Sequence, residues 1–387
     1  MKDVLSSNEA IMKQFIYADN AATTQLNKAA LDAMMPWLFN EYGNASQSYA
    51  FARKPKQALA EARGIIAECI NAQPEEVFFT SGGTESDNWA IKGSAFAESQ
   101  KRGTITSAFE HHAVLHSCYA IERLNYPVVY LKPTATGVIT SESLSNVICD
   151  TTRLVSIMFA NNEIGTIQPI EELCEVAHMH GALFHTDAVQ AVGRIKVDVQ
   201  KLGIDMLSAS AHKFNGPKGI GFLYIRKGTK IAPYADGGAQ ESKYRAGTEN
   251  IASIIGMATA LKENCALLEE HQKHIYELEK RLIGQLDNAG ITYIHNGGSQ
   301  TLPGLISLSF VDTEGEAILH RMDLMGICIS AGSACNSINT EVSHVLKAIG
   351  LAEPLAKGTI RISLGKDNSE SDVDNIVKAL TSTLNNY

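Results

Sequence analysis

Long apolar runs are missing from this chain. No stretch approaches the ~20 uninterrupted apolar residues that a membrane-spanning helix needs. The opening residues, "MKDVLSSNEAIMKQF", lack the apolar centre of a secretory signal. A cytoplasmic protein with no membrane partner is therefore expected. Paired cysteines are missing too: the seven cysteines (69, 118, 149, 174, 265, 328 and 335) include no Cys-x-x-Cys. That argues against a disulfide framework and against a structural zinc site, and six of the seven read as small core residues. The net charge is −9 with no basic run, which speaks against direct nucleic-acid or acidic-membrane binding. Internal repeats and low-complexity segments are also absent.

What remains is a chain of 387 residues, 45% of them apolar, too long for one comfortable core and too apolar for disorder. From about residue 76, short β-rich runs alternate with helical patterns. "EVFFT" precedes "ESDNWAIKGSAFAES", "GTITSA" precedes "HAVLHSCYAIERLN", and "TRLVSIMFA" precedes "IEELCEVAHMHG". "PVVYL", "ALFHTDAV", "DMLSAS" and "GIGFLYI" supply further strands. This alternation predicts an α/β fold with a mainly parallel sheet, whose ligands bind beyond the carboxyl ends of the strands. A long helical pattern over 250–289 bridges to a smaller α+β unit containing "LPGLISLSF" and "TIRISLG". The expected division is a large domain over 16–256 and a small domain over 257–387 that also takes in 1–15.

The strand ends carry the chemistry. After "VFFT" comes "SGGTES", where Gly83 and Thr84 open a helix whose free N–H groups suit a phosphate; a glycine turn with a hydroxyl cap is the structural alternative. After "GTITSA" comes "FEHHAVLH". His112 and His116 are four apart, but no glutamate or further histidine stands at a fitting spacing, so no metal site is expected. His111 is available to lie against a planar ligand. After "RLVSIMFA" comes "NNEIGTIQP", with Asn162, or simply an asparagine turn. Asp187 ends the apolar run "ALFHTD", where a carboxylate is partnered, functional or a helix cap. His212 and Lys213 follow "DMLSAS" in "SASAHKFNGPKG", which read alone is equally a turn of solvated lysines. Together these five ends offer phosphate donors, an imidazole, amides, a carboxylate and an amine. Pyridoxal phosphate needs such a set: a lysine for its imine, a phosphate cup, and a carboxylate that keeps the ring nitrogen protonated.

The motifs "YADNAATT", "TSGGTESDN", "EHHAVL", "NNEIGTIQ", "HTDAVQAVG", "SAHKFNGPKGIG", "RAGTENI", "SAGSACNS" and "TIRISLG" span nearly the whole chain. On these the chain resembles the cysteine desulfurases of the nitrogen-fixation and iron–sulfur-assembly type, a class V branch of the fold-type I pyridoxal-phosphate enzymes. The resemblance implies Lys213 as the imine-forming lysine and the base for the substrate Cα proton. Asp187 would face the pyridine nitrogen, Gln190 the ring hydroxyl and His111 the ring, with Asn162 close by. Gly83, Thr84, Ser210 and His212 would hold the phosphate, joined by Thr248 from a second subunit of a homodimer. Arg361 would grip the carboxylate of L-cysteine, as a planar guanidinium fork suits that group. Cys335, in a loop of small polar residues, would take the sulfur as a persulfide, release alanine and pass the sulfur to an acceptor protein such as an iron–sulfur scaffold. Cys328, alternating with isoleucines, reads instead as a packed strand residue.

Departures from the family pattern put Ala45, Gln47, Tyr49 and Ala52 in "GNASQSYAFA", Ala239, Ser242 and Lys243 in "GGAQESKYRAGT", and Val342 where proline is common. None removes a cofactor or nucleophile residue. Residues 1–11 precede the family-like start. Other readings are a selenocysteine lyase, a small-substrate aminotransferase, or a sulfur-assembly scaffold without catalysis. Alanine formed from cysteine separates a desulfurase from the last two.

Overall fold

A computed structural model describes residues 15–98, 100–331 and 342–385. Its strands, in chain order, are β1 (Ile16–Tyr17), β2 (Val77–Thr80), β3 (Gly103–Ser107), β4 (Val128–Leu131), β5 (Thr152–Ser156), β6 (Leu183–Asp187), β7 (Met206–Ser210), β8 (Gly221–Ile225), β9 (Ile294–Asn296), β10 (Leu305–Ser309), β11 (Ile327–Cys328), β12 (Ser330–Ala331) and β13 (Thr359–Ser363). The main sheet runs β2-β8-β7-β6-β5-β3-β4. From β7 to β4 every pairing is parallel, and β8 lies antiparallel to both its neighbours. Strands β5, β7 and β8 are buried at every residue, as expected of sheets covered on both faces. The covering helices include Gly83–Ala97, which buries Trp89, Ala90 and Ile91, and Ile170–Met179, which buries Leu173, Val176 and Ala177.

Strand β5 ends four residues before the extended run predicted from sequence. The chain nevertheless continues alongside β6, because Ile157 N donates to His185 O (3.1 Å) and Phe159 N to Asp187 O (2.8 Å). That continuation carries the chain to Asn161 and Asn162. The pattern over 250–289 is not one bridge but two helices, Ile251–Ala266 and Leu268–Asn288, meeting at 71°. Met257, Ala258, Ala260 and Leu261 pack in the large core, whereas Leu278, Leu282 and Leu286 pack in a second core with Ile306, Leu308, Ile360 and Ile362. The small antiparallel sheet orders β12-β13-β10-β9. Strand β1 pairs with β11, and Ala18 packs in the second core. The chain thus leaves the small unit through "DNAATT" and crosses directly into the cleft. No single described helix is long and apolar enough to cross a membrane.

The cysteines do not all behave as small core residues. Cys118 and Cys174 are buried, but Cys69, Cys265 and Cys328 are partly exposed and Cys149 is exposed. Around Cys328 the isoleucines Ile327 and Ile329 face inward, so the cysteine occupies the opposite, half-open face. Alternation identified the strand there but inverted the packed residue.

Strand β2 forms one edge of the main sheet, and its outward backbone groups are covered. Phe79 N donates to Glu241 Oε2 (2.9 Å), and Arg63 Nη1 donates to Val77 O. Arg63 also holds both Glu241 oxygens, at 2.8 and 2.7 Å. Glu241, Ser242 and Lys243 adopt positive φ (41°, 56° and 71°), a region that side chains other than glycine rarely enter.

Candidate active site

A cleft of about 630 Å³ opens at the carboxyl ends of β6 and β7, where the parallel-sheet argument puts a ligand. It gathers Gly83, Thr84, His111, Asn162, Asp187, Gln190, Ser210, His212, Lys213 and Arg361, ten of the residues singled out in the sequence. Thr248 is not among its lining residues; it lines an adjoining pocket that shares Ser81 and Gly219 with the cleft. Cys335 lies outside the described residues.

Lys213 follows β7 in a single turn of 3-10 helix. Its Nζ donates to the carbonyls of Ala21 (2.6 Å) and Ala22 (2.8 Å), on the strap that leads from β1. Burial, and then the positive charges of Arg361 and Arg194, pull its pKa down to about 8. The neutral, nucleophilic amine is thereby brought within reach of neutral pH. The same strap holds the next functional group: Thr23 Oγ1 lies 3.1 Å from His212 Nδ1. Sequence reading assigned Ala21, Ala22 and Thr23 no individual role, although they stand inside the quoted motif "YADNAATT".

Asp187 ends β6 and is buried; Val189 N donates to its Oδ1 at 2.9 Å. Burial raises its pKa to about 6 against that hydrogen bond and the attraction of Lys213. Behind it lies Asp87, fully buried, whose carboxyl is pushed far up by burial and then by the Asp187 charge. Two carboxylates this close do not both ionise, so Asp87 keeps its proton and Asp187 carries the charge. Asp87, His111 and Asp187 bring ligand atoms within 4.8 Å of one another. A protonated ring nitrogen is a natural partner for the charged member of this group. Asp87 was not singled out in the sequence, though "TSGGTESDN" contains it.

His111 caps the helix His112–Glu122: Ala113 N donates to its Nδ1 at 3.1 Å. Burial, then Lys213, lower its pKa to about 4, so the ring is neutral with its proton on Nε2. It is a positioned flat surface rather than a cation. Across the cleft, Gly82 (φ +149°) opens the helix Gly83–Ala97. A Cβ on Gly83 would stand 2.5 Å from Val189 Cγ2, and one on Gly221 2.7 Å from Gly82 Cα. Only glycine lets the helix start sit this close to β6 and β8, with its unpaired N–H groups turned to the cleft. Ser210 borders the same place, its Oγ 3.4 Å from where a Gly82 Cβ would be. An anion on these donors and a planar ring between His111 and Asp187 fit the set.

Arg361 enters from the small sheet, mid-strand in β13, and is 3% exposed. Nη1 donates to Asn162 O (2.9 Å), and Nη2 donates to Asp19 Oδ1 (2.8 Å) and Ser330 Oγ (3.1 Å). Nε is buried without a partner. The guanidinium is thus pre-positioned by three groups, and two of its five N–H bonds have no partner in the protein. Beside it, Glu163 is buried and accepts a hydrogen bond from Ser343 Oγ, the cap of the helix His344–Ala348. Burial raises Glu163 to about 7, offset in part by Ser343 and Arg361.

A half-buried lysine, an ionised carboxylate, a neutral histidine and a glycine-opened helix start at the ends of parallel strands make up an α/β enzyme site. The family model of the class-V aminotransferases matches residues 16–376. The cysteine desulfurase IscS of Methanosarcina thermophila is 46% identical over 374 residues, covering 96% of this chain and 93% of that protein. The namesake from Dictyoglomus turgidum is 47% identical over 365 residues, covering 94% and 93%. Among solved structures, a NifS-like protein superposes with a TM-score of 0.91 at 37% identity, covering 96% of this chain and all of its own. SspA in complex with cysteine superposes at 0.80, with 37% identity, covering 91% of this chain and 99% of that one. The chain belongs to the class-V aminotransferase family and, within it, to the cysteine desulfurases.

Proposed function

We propose that this protein is a pyridoxal-phosphate-dependent cysteine desulfurase, a cytoplasmic homodimer that turns L-cysteine into L-alanine and hands the sulfur to an acceptor protein. The observation that carries the reading is the convergence of Lys213, Asp187, His111 and the Gly83 helix start on one cleft that Arg361 enters from the opposite side. Bound there, the cofactor would supply an electron sink for charge developing on the substrate Cα. Lys213 would hold it covalently, Asp187 would keep its ring nitrogen protonated, and Gln190 would meet its hydroxyl. Gly83, Thr84, Ser210 and His212 would take its phosphate, with Thr248 supplied by the partner subunit.

The remaining roles fall to the chain's own groups. Arg361, which lines the cleft and is fixed by Asn162, Asp19 and Ser330, binds the substrate carboxylate. Lys213 Nζ moves the Cα proton, a task matched to a base with a pKa near 8. Cys335 Sγ then takes the substrate sulfur. One S–S bond forms as one C–S bond breaks, so that cysteine and a thiol become alanine and a persulfide. The test is mass spectrometry after a single addition of cysteine. The expected result is one extra sulfur on Cys335 and one alanine per sulfur, with Cys335→Ser retaining the yellow cofactor but forming neither product. A keto acid in place of alanine, or the extra sulfur on Cys328, overturns the reading.

A further inference from the structure

His112 and His116 stand one turn apart on the helix His112–Glu122, with ring centroids 5.1 Å apart. The fold brings a third ring beside them: His344 lies 4.7 Å from His112, at the start of the helix His344–Ala348. None of the three lines the catalytic cleft. We propose that His112, His116 and His344 form a second site, which binds one borderline divalent transition cation such as Zn²⁺ or Ni²⁺, with water completing its coordination.

Three observations support the proposal. The first is spacing. With metal–nitrogen bonds of ~2.0–2.1 Å, two imidazoles on one tetrahedral cation place their ring centroids ~5 Å apart. The second is tautomer. His344 Nε2 lies 2.9 Å from the carbonyl of Glu110, an acceptor only, so Nε2 carries the proton and Nδ1 keeps its lone pair. An N–H held by a carbonyl on the far side of the ring is the usual support of a metal-binding histidine. The third is an orphan: His112 Nδ1 is buried and has no hydrogen-bond partner. The ligand atoms already gathered within 4.8 Å are those of Asp87, His111 and Asp187 in the cleft. The histidine trio is not gathered in that way, so cation binding requires the exposed His116 side chain to rotate toward the other two.

The test uses untagged holoenzyme in a Cys149→Ser, Cys335→Ser background, which removes two rival thiols. Equilibrium dialysis against Ni²⁺ and Zn²⁺ is expected to show one saturable cation per chain. His116→Ala and His344→Ala should each weaken it at least tenfold, without loss of the cofactor's absorbance. With Cys335 restored, metal-free His116→Ala should turn over like the parent. If His344→Ala fails to fold, exposed His116→Ala alone carries the comparison. Absence of saturable binding, or affinity unchanged in His116→Ala, overturns the site.

Discussion

On the large-sheet side of the cleft, Asp187, Ser210 and Lys213 lie at or just past the ends of parallel strands, and the backbone of the same sheet fixes their positions. On the opposite side Arg361 stands in the middle of an antiparallel strand. It is held in place by side chains and a carbonyl from three other segments: Asp19, Ser330 and Asn162. The first wall is a property of topology and would exist in any doubly covered parallel sheet. The second depends on a long-range polar network between two cores. The difference separates the tasks: the sheet side suits permanent retention of a cofactor, and the small-unit side suits a substrate that must come and go.

The comparison breaks most completely at Lys213. Lys213→Ala is expected to abolish turnover, a loss of at least a thousandfold, and to remove the absorbance of the covalently held cofactor. Retained turnover with an unchanged visible spectrum would show that the sheet side is not where the cofactor is bound.

Arg361→Lys sharpens it from the other side. Lysine keeps the charge beside Asp19 but cannot also serve Asn162, Ser330 and a carboxylate as a planar fork. The expected result is a KM for cysteine raised about 10- to 100-fold, equivalent to ~1.4–2.8 kcal/mol of lost binding, with the cofactor spectrum unchanged. A fall in kcat with KM unaffected would place the arginine's role elsewhere.

The smallest effect is expected where the two sides join. Glu163 titrates near pH 7 in the folded chain, against an ordinary value of 4.5. Between those values the unfolded carboxyl ionises while the folded one keeps its proton, so its contribution to stability falls as pH rises. Glu163→Gln can still accept from Ser343 Oγ but cannot ionise. Its melting temperature should match the parent near pH 4.5 and exceed it by about 1–3 °C at pH 8, for a difference of order 1 kcal/mol. A variant that matches the parent near pH 4.5 but melts lower than it at pH 8 would show that the ionised carboxylate is the stabilising form.

The sheet side was legible in the sequence because each of its groups follows a β-rich run or opens a helix, within a few residues of a pattern that predicts the element. Asp187 after "ALFHT" and Lys213 after "DMLSAS" are of this kind. The anchoring of Arg361 was not legible. Its carboxylate partner Asp19 is 342 positions away, and strand periodicity marks Arg361 only as a residue on one face. His344 beside His112 was hidden for the same reason. Asp87 was hidden differently: it sits inside a helix, and only the proximity of Asp187 makes it unusual. Cys328 was misread because alternation fixes the two faces of a strand without saying which is covered.

The three consecutive positive-φ residues at 241–243 bear on solubility. They are costly for side chains other than glycine, yet they deliver Glu241 to the outer margin of β2, where with Arg63 it occupies the hydrogen-bonding groups of Val77 and Phe79. An uncovered margin made of "VFF" would be a template on which strands of other molecules could add. The local strain therefore protects against aggregation. Relieving it without keeping the carboxylate in place would give a chain whose catalytic cleft is intact but which tends to associate edge to edge as its concentration rises.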